Sequence, residues 1–333
     1  MAVVLTPKTL CTVPNSCACY ELTFAFKFIA TSHRWKVYLK PYTSVLYFRS
    51  VIFSSNHNTS VQNIEIKSLA DDQILQGYRW SIPNPVAVMN LVHGFGEHCG
   101  RYSELAEHLN EHGIEVIGVD LRGHGRTAGR RGVSFQYSDI YGDVRALIAE
   151  SARLHPNLPR FLFGHSMGGG LVLHHGLSPD PDSLSGYLVS APMLRANRRL
   201  PFYVRWAVKT LRKLIPTGTI RTPISGHKVS TIPQEQELYR SDALNHNRLG
   251  YGLAVGMVET GQHVLDNATQ WNKPLCLWHS QADQITDFTA TEQFAAHAQQ
   301  CDFTAFNDVQ HEMHHDYSRD QVVALMVDFM TGD

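Results

Sequence analysis

A serine at the centre of a glycine-flanked turn is the residue of this chain best suited to nucleophilic chemistry. Ser166 lies in Gly164-His165-Ser166-Met167-Gly168, between the apolar run 161–163 and the helix-compatible run 171–173. A strand, a sharp turn and a helix in this order expose a serine hydroxyl at the tip of the turn. Glycine two positions to either side lets neighbouring backbones approach closely. The pattern therefore predicts Ser166 as a nucleophile.

A nucleophilic serine needs a site that stabilises the negative charge on the carbonyl oxygen it attacks. The segment His93-Gly94-Phe95-Gly96-Glu97-His98 directly follows the apolar run 86–92, which places it in a strand-to-helix loop. Such a loop can direct one backbone N–H at this oxygen, and the residue after the nucleophile supplies another. We therefore predict that the Phe95 and Met167 amides form an oxyanion hole.

The acid that orients the base is expected in the loop after a late strand. Asp283 follows the β-rich run 275–279 after a short polar loop, and Asp287 lies four residues further on. Asp283 is nearer to the end of the strand, where catalytic side chains of a parallel sheet collect. We therefore favour Asp283 and keep Asp287 as its rival.

The base itself is expected between the last strand and the last helix. His311 follows the β-rich run 302–306. His314 and His315 are close rivals, which we expect to be helix-start or surface residues. A serine hydroxyl is a weak nucleophile until a histidine accepts its proton. We predict that His311 accepts the proton of Ser166.

The pattern of elements indicates an α/β fold with a mostly parallel central sheet flanked by helices. Strands alternating with helix-length amphipathic stretches are typical of βαβ units. Two runs, 73–80 and 86–92, are separated by turn-forming residues and could pair as an antiparallel hairpin at one edge. The β-rich runs are 73–80, 86–92, 115–119, 160–163, 186–190, 274–279 and 302–306.

The alternation is interrupted by a mostly helical segment, 192–268. An insertion after a strand of a parallel sheet is expected to cover the carboxyl edge of the sheet, where ligand sites open. We predict a core of residues 61–191 and 269–333 with this segment as a helical cap. Residues 1–60 are expected to form a poorly ordered N-terminal extension.

The composition gives no support to several classes of function. The chain has 333 residues, a formal net charge of −1 and 43% hydrophobic residues. A near-neutral charge gives no reason to expect nucleic-acid binding. The six cysteines show neither a disulfide framework nor zinc spacing, so reduced thiols in a cytoplasm are expected. No apolar run reaches the eighteen residues of a transmembrane helix.

Residues 62–330 resemble the monoacylglycerol lipase branch of the α/β-hydrolases, which is close to proteins described as lysophospholipases. The motif 93–98 with Arg101-Tyr102, the segment 120–132 and the turn 164–169 resemble that family's conserved stretches. Thr127 and Ser280 depart from the pattern, where serine and glycine are usual. The resemblance implies an α/β-hydrolase fold with a cap, the triad Ser166, Asp283 and His311, the oxyanion amides of Phe95 and Met167, and no cofactor or metal.

The resemblance also implies a lipid ester substrate, with a monoacylglycerol first and a lysophospholipid second. Residues 192–222 carry eight Lys or Arg and no acid, and Val204, Val208, Leu211 and Ile215 share one helical face. A basic amphipathic helix could meet an anionic membrane. The alternative is an ordinary cap helix whose apolar face packs on the sheet. We expect a cytoplasmic protein, which would be membrane-peripheral if this basic helix meets the membrane.

Two readings from other classes have little support. His108, Glu111 and His112 fit a zinc-peptidase pattern, but Leu105 and Leu109 place the apolar face on the other side of that helix. A non-catalytic, hydrolase-like lipid-binding protein would be expected to lack a member of the triad, and none is missing. We therefore expect a serine ester hydrolase.

Overall fold

The computed structural model describes residues 27–31, 34–38, 45–48, 60–179, 183–198, 201–222 and 224–332. The chain forms two compact units, Met1–Asn56 and His57–Asp333. In the first unit three short strands pair in order as an antiparallel sheet. They are β1 (Lys27–Thr31), β2 (Arg34–Tyr38) and β3 (Val45–Phe48). The other residues of the expected 1–60 extension, apart from Ser60, lie outside the described residues, and its poor order stays a prediction.

The second unit is built on a mostly parallel sheet, as the sequence predicts. Its described strands are β4 (Ser60–Lys67), β5 (Ile74–Ser81), β6 (Ala87–Val92), β7 (Ile114–Val119), β8 (Arg160–His165), β9 (Gly186–Ser190), β10 (Thr219–Arg221), β11 (Arg248–Gly250), β12 (Leu275–Ser280) and β13 (Cys301–Phe306). Eight of them form one sheet in the order β13-β12-β9-β8-β6-β7-β5-β4. In this sheet β5 pairs antiparallel with both β4 and β7, and the other described pairs are parallel. The α/β-hydrolase fold class is confirmed.

Helices cover both faces of this sheet. In the described ranges they are α1 (Ser103–Glu111), α2 (Tyr137–Leu154), α3 (Met167–Gly176), α4 (Phe202–Leu214), α5 (Gly226–Val229), α6 (Pro233–Ser241), α7 (Tyr251–Asp266), α8 (Phe288–Ala295) and α9 (Arg319–Thr331). Short 3₁₀ helices span Cys99–Tyr102, Ala268–Gln270 and Met313–His315.

The strand β6 shows how the sequence fills both helical layers. Val88 and Val92 pack in the core that α2, α3 and α7 share, while Met89 and Leu91 pack in the core of α1 and α9. Successive side chains of a strand point to opposite faces, so a strand covered on both faces is apolar throughout. This explains why the central strands appear in the sequence as continuous apolar runs.

The expected hairpin between residues 73–80 and 86–92 is wrong. The strand β5 pairs with β4, with Ile66 opposite Leu75, and on its other side with β7. All six residues of β6 are buried, so β6 belongs between β7 and β8 at the centre of the sheet. The edge position goes to β4, most of whose side chains are exposed.

The segment between β9 and β12 divides into a part that packs on the core and a part that lies near the ends of the strands. The helix α7 buries Leu253 and Val264 in the core, and Tyr141 bonds Thr260 through their hydroxyl groups at 2.6 Å. In contrast, the His246 N–H donates to the carbonyl of Gly96, in the loop after β6, at 2.8 Å. The boundaries of a cap at 192–268 stay a prediction.

The turn from β8 to α3 is packed so tightly that two of its glycines are required. A Cβ on Gly168 would overlap the carbonyl oxygen of Val92, and one on Gly164 would overlap the carbonyl oxygen of Gly168. One helical turn away, a Cβ on Gly170 would lie 3.3 Å from the Met193 carbonyl oxygen. Close backbone contacts therefore require glycine at positions 164 and 168, whereas position 170 has more room.

We predict that Gly168→Ala lowers the free energy of unfolding by about 1–3 kcal/mol, because the methyl group must push β6 away. The matched substitution Gly170→Ala should change it by less than about 1 kcal/mol, because alanine favours the helix and its neighbour needs to move little. Urea unfolding of both variants checks this. Equal destabilisation by the two substitutions would contradict the packing argument.

Candidate active site

Ser166 lies at the tip of the tight turn between β8 and α3. Its backbone has φ 54° and ψ −115°, a region that residues other than glycine rarely occupy. The turn is held by hydrogen bonds from the Ser166 N–H to the Ser190 carbonyl (2.9 Å) and from the Met193 N–H to the Ser166 carbonyl (2.8 Å). Strain of this kind persists where the surrounding structure fixes it, and here it presents the hydroxyl above the sheet.

The two predicted oxyanion donors lie near the serine. Met167 is the first residue of α3, so its N–H is one of the four helix-start amides without an acceptor inside the helix. The partial positive charge of a helix N-terminus adds to its attraction for an anion. Phe95 belongs to the loop after β6 and lines the same small cavity as Ser166.

A buried carboxylate holds the loop that carries Phe95. The Oε1 atom of Glu97 accepts the Gly94 N–H at 2.6 Å and the Tyr102 hydroxyl at 2.8 Å. On the other side of the loop, His93 Nε2 accepts the Leu121 N–H at 2.9 Å, so Nδ1 carries the proton and donates to the Gly94 carbonyl at 2.7 Å. These bonds fix the backbone on both sides of Gly94 before any substrate arrives.

Arg101 joins this loop to the segment that carries His311. Its guanidinium donates to Glu97 Oε2 at 2.6 Å and to both carboxylate oxygens of Glu312 at 2.6 and 2.7 Å. All three side chains are buried. In the sequence, Glu97, Arg101 and Tyr102 stood out only as parts of the motif that resembles the family, and nothing indicated a role for Glu312.

The structure brings Asp283 and His311 together. Asp283 Oδ2 lies 2.6 Å from His311 Nδ1, and Asp283 Oδ1 accepts the Ile285 and Thr286 N–H groups. Burial alone would raise the pKa of Asp283, but the charge of His311 and the hydrogen bonds from His279 and His311 hold it well below its usual range. An ionised carboxylate can only accept, so His311 carries a proton on Nδ1 and its Nε2 is the atom free to take another.

The environment of His311 favours its protonated form. Burial alone would lower the pKa of His311, but the Asp283 carboxylate raises it above the ordinary value of 6.5. The neighbouring His165 ring, 4.6 Å from His311 between centroids, has its pKa lowered to about 3 by burial. His311 and Ser166 line the same cavity. The arrangement can accept a proton at His311 and stabilise the resulting charge.

The rival acid lies apart from this arrangement. The carboxylate of Asp287 accepts the Thr289 N–H, which caps α8, and its other oxygen bonds Arg195 at 2.6 Å. These two partners explain its position as a helix cap.

The rival bases are not at the surface. His314 and His315 form the 3₁₀ turn ahead of α9 and are both buried. His315 Nδ1 lies 2.7 Å from Glu312, and His314 stacks on Tyr102 with ring centroids 4.8 Å apart. The expectation of surface residues fails because the 3₁₀ helix Cys99–Tyr102 packs against this segment.

Two groups of residues have ligand types that could hold a metal. His108, Glu111 and His112 lie on the outer side of α1 and in the turn after it, as expected. Glu312, His314 and His315 are close enough together to share an ion. However, both oxygens of Glu312 already bond Arg101, whose charge would repel a cation. The contacts of Glu312 therefore favour an ion pair over a metal site.

The cavity at Ser166 is small and is roofed by residues of the segment between β9 and β12. Its volume is about 20 Å³. Its roof carries Ile224, Val229 and Tyr239. The backbone of Glu312 also donates to the Val229 carbonyl at 2.8 Å. In this conformation the cavity holds about one water molecule.

The chain is similar to proteins of one enzyme family. The family described as "Serine aminopeptidase, S33" matches residues 83–318. A monoacylglycerol lipase of Mycolicibacterium smegmatis is 32% identical over 61% of this chain and 72% of its own length. An uncharacterized abhydrolase domain-containing protein of Dictyostelium discoideum is 30% identical over 74% of this chain, which spans only 26% of that longer protein.

A solved structure agrees in fold. The crystal structure of a monoacylglycerol lipase of Paleococcus ferrophilus has a TM-score of 0.70 and 26% identity, and the match covers 77% of this chain and 98% of that one. The family match spans more than half of the chain. The chain therefore belongs to the serine aminopeptidase S33 family, and within the α/β-hydrolases it is a monoglyceride lipase-like carboxylic ester hydrolase.

Proposed function

We propose that Ser166, His311 and Asp283 form a catalytic triad that hydrolyses lipid esters, with a monoacylglycerol as the preferred substrate. The observation that carries the proposal is the 2.6 Å hydrogen bond between Asp283 and His311. His311 lines the same cavity as Ser166, whose backbone is strained. Monoacylglycerol hydrolysis is also the activity named for the Mycolicibacterium and Paleococcus proteins.

In the proposed reaction, His311 Nε2 accepts the proton of Ser166 while the Ser166 oxygen attacks the ester carbonyl. The Phe95 and Met167 amides donate to the oxygen that becomes negative, and Asp283 stabilises the protonated His311. The proton then passes to the leaving glycerol oxygen as the ester bond breaks. Water, activated by the same histidine, releases the fatty acid from Ser166. These steps use only groups of this chain and water.

An apolar cavity is suited to hold the acyl chain. Its volume is about 370 Å³, and it lies among α4, the paired strands β10 and β11, and α7. Met193 lines it and also donates its backbone N–H to the Ser166 carbonyl, so the cavity wall lies beside the nucleophile. The other apolar lining residues are Ala196, Trp206, Val208, Ile220, Leu249, Ala254, Val255, Met257 and Val258. An unbranched acyl chain matches such a lining.

The charges of the segment 192–222 support a phosphate head group less strongly than the sequence alone suggests. Its cations appear unpaired in the sequence, but other segments supply acids. Lys209 lies 3.2 Å from Glu259 of α7, which Arg212 also approaches at 3.8 Å, and Arg195 bonds Asp287. Three of the eight cations are therefore partly neutralised, which weakens the argument for a lysophospholipid.

We also propose that α4 rests on the membrane surface that supplies the substrate. The Trp206 and Leu214 side chains of α4 are 70% and 72% exposed, and Lys213 is exposed beside them. An exposed aromatic and aliphatic surface with flanking cations is typical of interfacial helices. No helix among the described residues is long and apolar enough to cross a membrane.

A reducing compartment fits the cysteines of the described residues. Cys99, Cys276 and Cys301 are free thiols. Free, largely buried thiols are usual in the cytoplasm. We propose a cytoplasmic, membrane-peripheral enzyme.

We predict that Ser166→Ala lowers kcat on a monoacylglycerol by about 10⁴-fold or more and abolishes labelling by a fluorophosphonate probe, because the nucleophile is removed. Asp283→Asn should lower kcat strongly, whereas Asp287→Asn, the matched change at the rival acid, should leave most of it. Rates on a monoacylglycerol and a lysophosphatidylcholine of the same chain length check the substrate. Labelling that persists in Ser166→Ala would contradict the assignment of the nucleophile, and a faster rate on the phospholipid would reverse the substrate order.

We predict that Val208→Trp shortens the preferred acyl chain, because the indole fills the apolar cavity. Each excluded methylene forfeits about 0.8 kcal/mol, so the ratio of kcat/KM on a long-chain to a short-chain ester should fall at least about tenfold. Leu69→Trp, at an exposed position outside the cavity, is the control and should leave the ratio unchanged. An unchanged ratio in Val208→Trp would place the acyl chain elsewhere.

We predict that Trp206→Ser weakens binding to lipid vesicles at least about tenfold, because a large apolar side chain no longer enters the interface. Among tryptophans with described side chains only Trp206 is exposed, so its fluorescence should shift to the blue on binding. Tyr317→Ser, which removes an exposed aromatic residue outside α4, is the control. Binding that Trp206→Ser does not weaken would exclude α4 as the contact, and a steep loss with salt would identify its cations as the main attraction.

A further inference from the structure

The Asp283 carboxylate interacts with a second histidine, for which the triad has no role. Asp283 Oδ2 lies 2.9 Å from His279 Nε2, while His311 Nδ1 lies 2.6 Å from the same oxygen. The Thr286 hydroxyl donates to it as well, at 2.7 Å. His279 is the fifth residue of β12 and is fully buried. It does not line the cavity at Ser166, so it acts on the reaction through Asp283 and through the Thr286 hydroxyl, which lies 3.1 Å from its Nε2.

The partners of His279 fix which nitrogen carries its proton. Its Nδ1 lies 2.8 Å from the hydroxyl oxygen of Thr291, which can donate or accept. Its Nε2 faces the ionised oxygen of Asp283, which can only accept, so a lone pair there would be repelled. His279 must therefore carry a proton on Nε2 and donate it to Asp283, and in the neutral ring Nδ1 accepts the Thr291 proton.

We propose that His279 is a positioning residue that sets the pH range in which His311 serves as the base. This inference rests on the proposed triad. The Asp283 oxygen that accepts from His311 also accepts hydrogen bonds from His279 and Thr286. Its negative charge is therefore shared among three donors and not held by His311 alone. Less of that charge then stabilises protonated His311, and His311 gives up its proton at a lower pH than it would beside a carboxylate without His279.

The other titratable groups around His311 lie on different elements from His279. They are His165 of β8, Glu97 of the loop after β6, Tyr239 of α6 and Glu312 beside His311 itself. The carboxylates of Glu97 and Glu312 raise the pKa of His311, as Asp283 does. A substitution at His279 leaves these groups in place, so its effect reports on the oxygen that His279 and His311 share.

The test compares His279→Leu with His279→Gln. Leucine removes the donor to Asp283, whereas the glutamine amide can place an N–H near the position of imidazole Nε2. The rate kcat/KM falls as pH drops through the pKa of the base, since protonated His311 cannot accept the serine proton. This fall is the acid limb of the pH profile, and in His279→Leu its midpoint should rise by roughly half to one pH unit. In His279→Gln it should stay within about 0.2 units of the wild type.

A structural defect alone would lower the rate at all pH values and leave the midpoint of the acid limb in place. A midpoint in His279→Leu that is unchanged or lower therefore overturns the proposal, as does an equal upward shift in His279→Gln. If the wild type hydrolyses no ester, or if Ser166→Ala remains fully active, the proposed function fails first. That outcome is visible before any variant of His279 is made.

A second measurement requires neither catalytic activity nor a correctly folded His279→Leu protein. Nitrogen NMR of histidine-labelled protein in the Ser166→Ala background reports the tautomer of each ring, and comparison with His279→Gln assigns the signal of His279. We expect a proton on Nε2 of His279 across neutral pH. A proton on Nδ1 alone would overturn the proposal, because His279 could then not donate to Asp283. In a folded His279→Leu protein, the titration midpoint of His311 should rise as the acid limb does.

Discussion

The buried guanidinium of Arg101 is the interaction on which the geometry of this site depends. It bonds two carboxylates from distant parts of the chain, Glu97 and Glu312. Removal of one partner from a buried ion pair typically costs about 3–5 kcal/mol, because the remaining charge stays desolvated. The loop that presents the Phe95 amide and the segment that presents His311 are therefore fixed to each other through one side chain.

Each carboxylate that bonds Arg101 also makes a hydrogen bond within its own segment of the chain. Glu97 accepts the Gly94 N–H, and Glu312 lies beside His315. Two carboxylates around one guanidinium leave an excess of negative charge in the core of the site. That excess adds to the effect of Asp283 on His311 and raises its pKa. The same residues thus set both the position of the proposed base and the charge around it.

Much of the fold could be predicted from the sequence, because its signals are local. The apolar runs of the central strands and the glycines around Ser166 follow from burial on two faces and from close backbone contact. Pairing is not local, so the neighbour of β5 was predicted wrongly: the turn before β6 indicated a hairpin, and burial of β6 placed it at the centre of the sheet.

The contacts of charged side chains were the hardest to predict. Nothing in the residues around Lys209 shows that Glu259, fifty residues later, lies beside it. The burial of His314 and His315 likewise depends on the 3₁₀ helix Cys99–Tyr102, more than two hundred residues earlier in the chain. His279 appeared only as the polar end of an apolar run, and its partners Asp283, Thr286 and Thr291 belong to the loop and helix that follow. Each of these side chains owes its role to neighbours that only the folded chain supplies.

The small cavity at Ser166 has a thermodynamic consequence. About 20 Å³ is less than an ester with a glycerol head group occupies, so the proposed substrate requires a more open arrangement of the residues that line this cavity. Observed affinity is then the intrinsic affinity multiplied by the fraction of molecules that are open. Anything that binds the open form more tightly than the closed form raises that fraction, including a lipid surface that binds an exposed Trp206. With the proposed contact of α4 in place, a lipid surface that favours the open form would be an effector of the enzyme as well as the source of its proposed substrate.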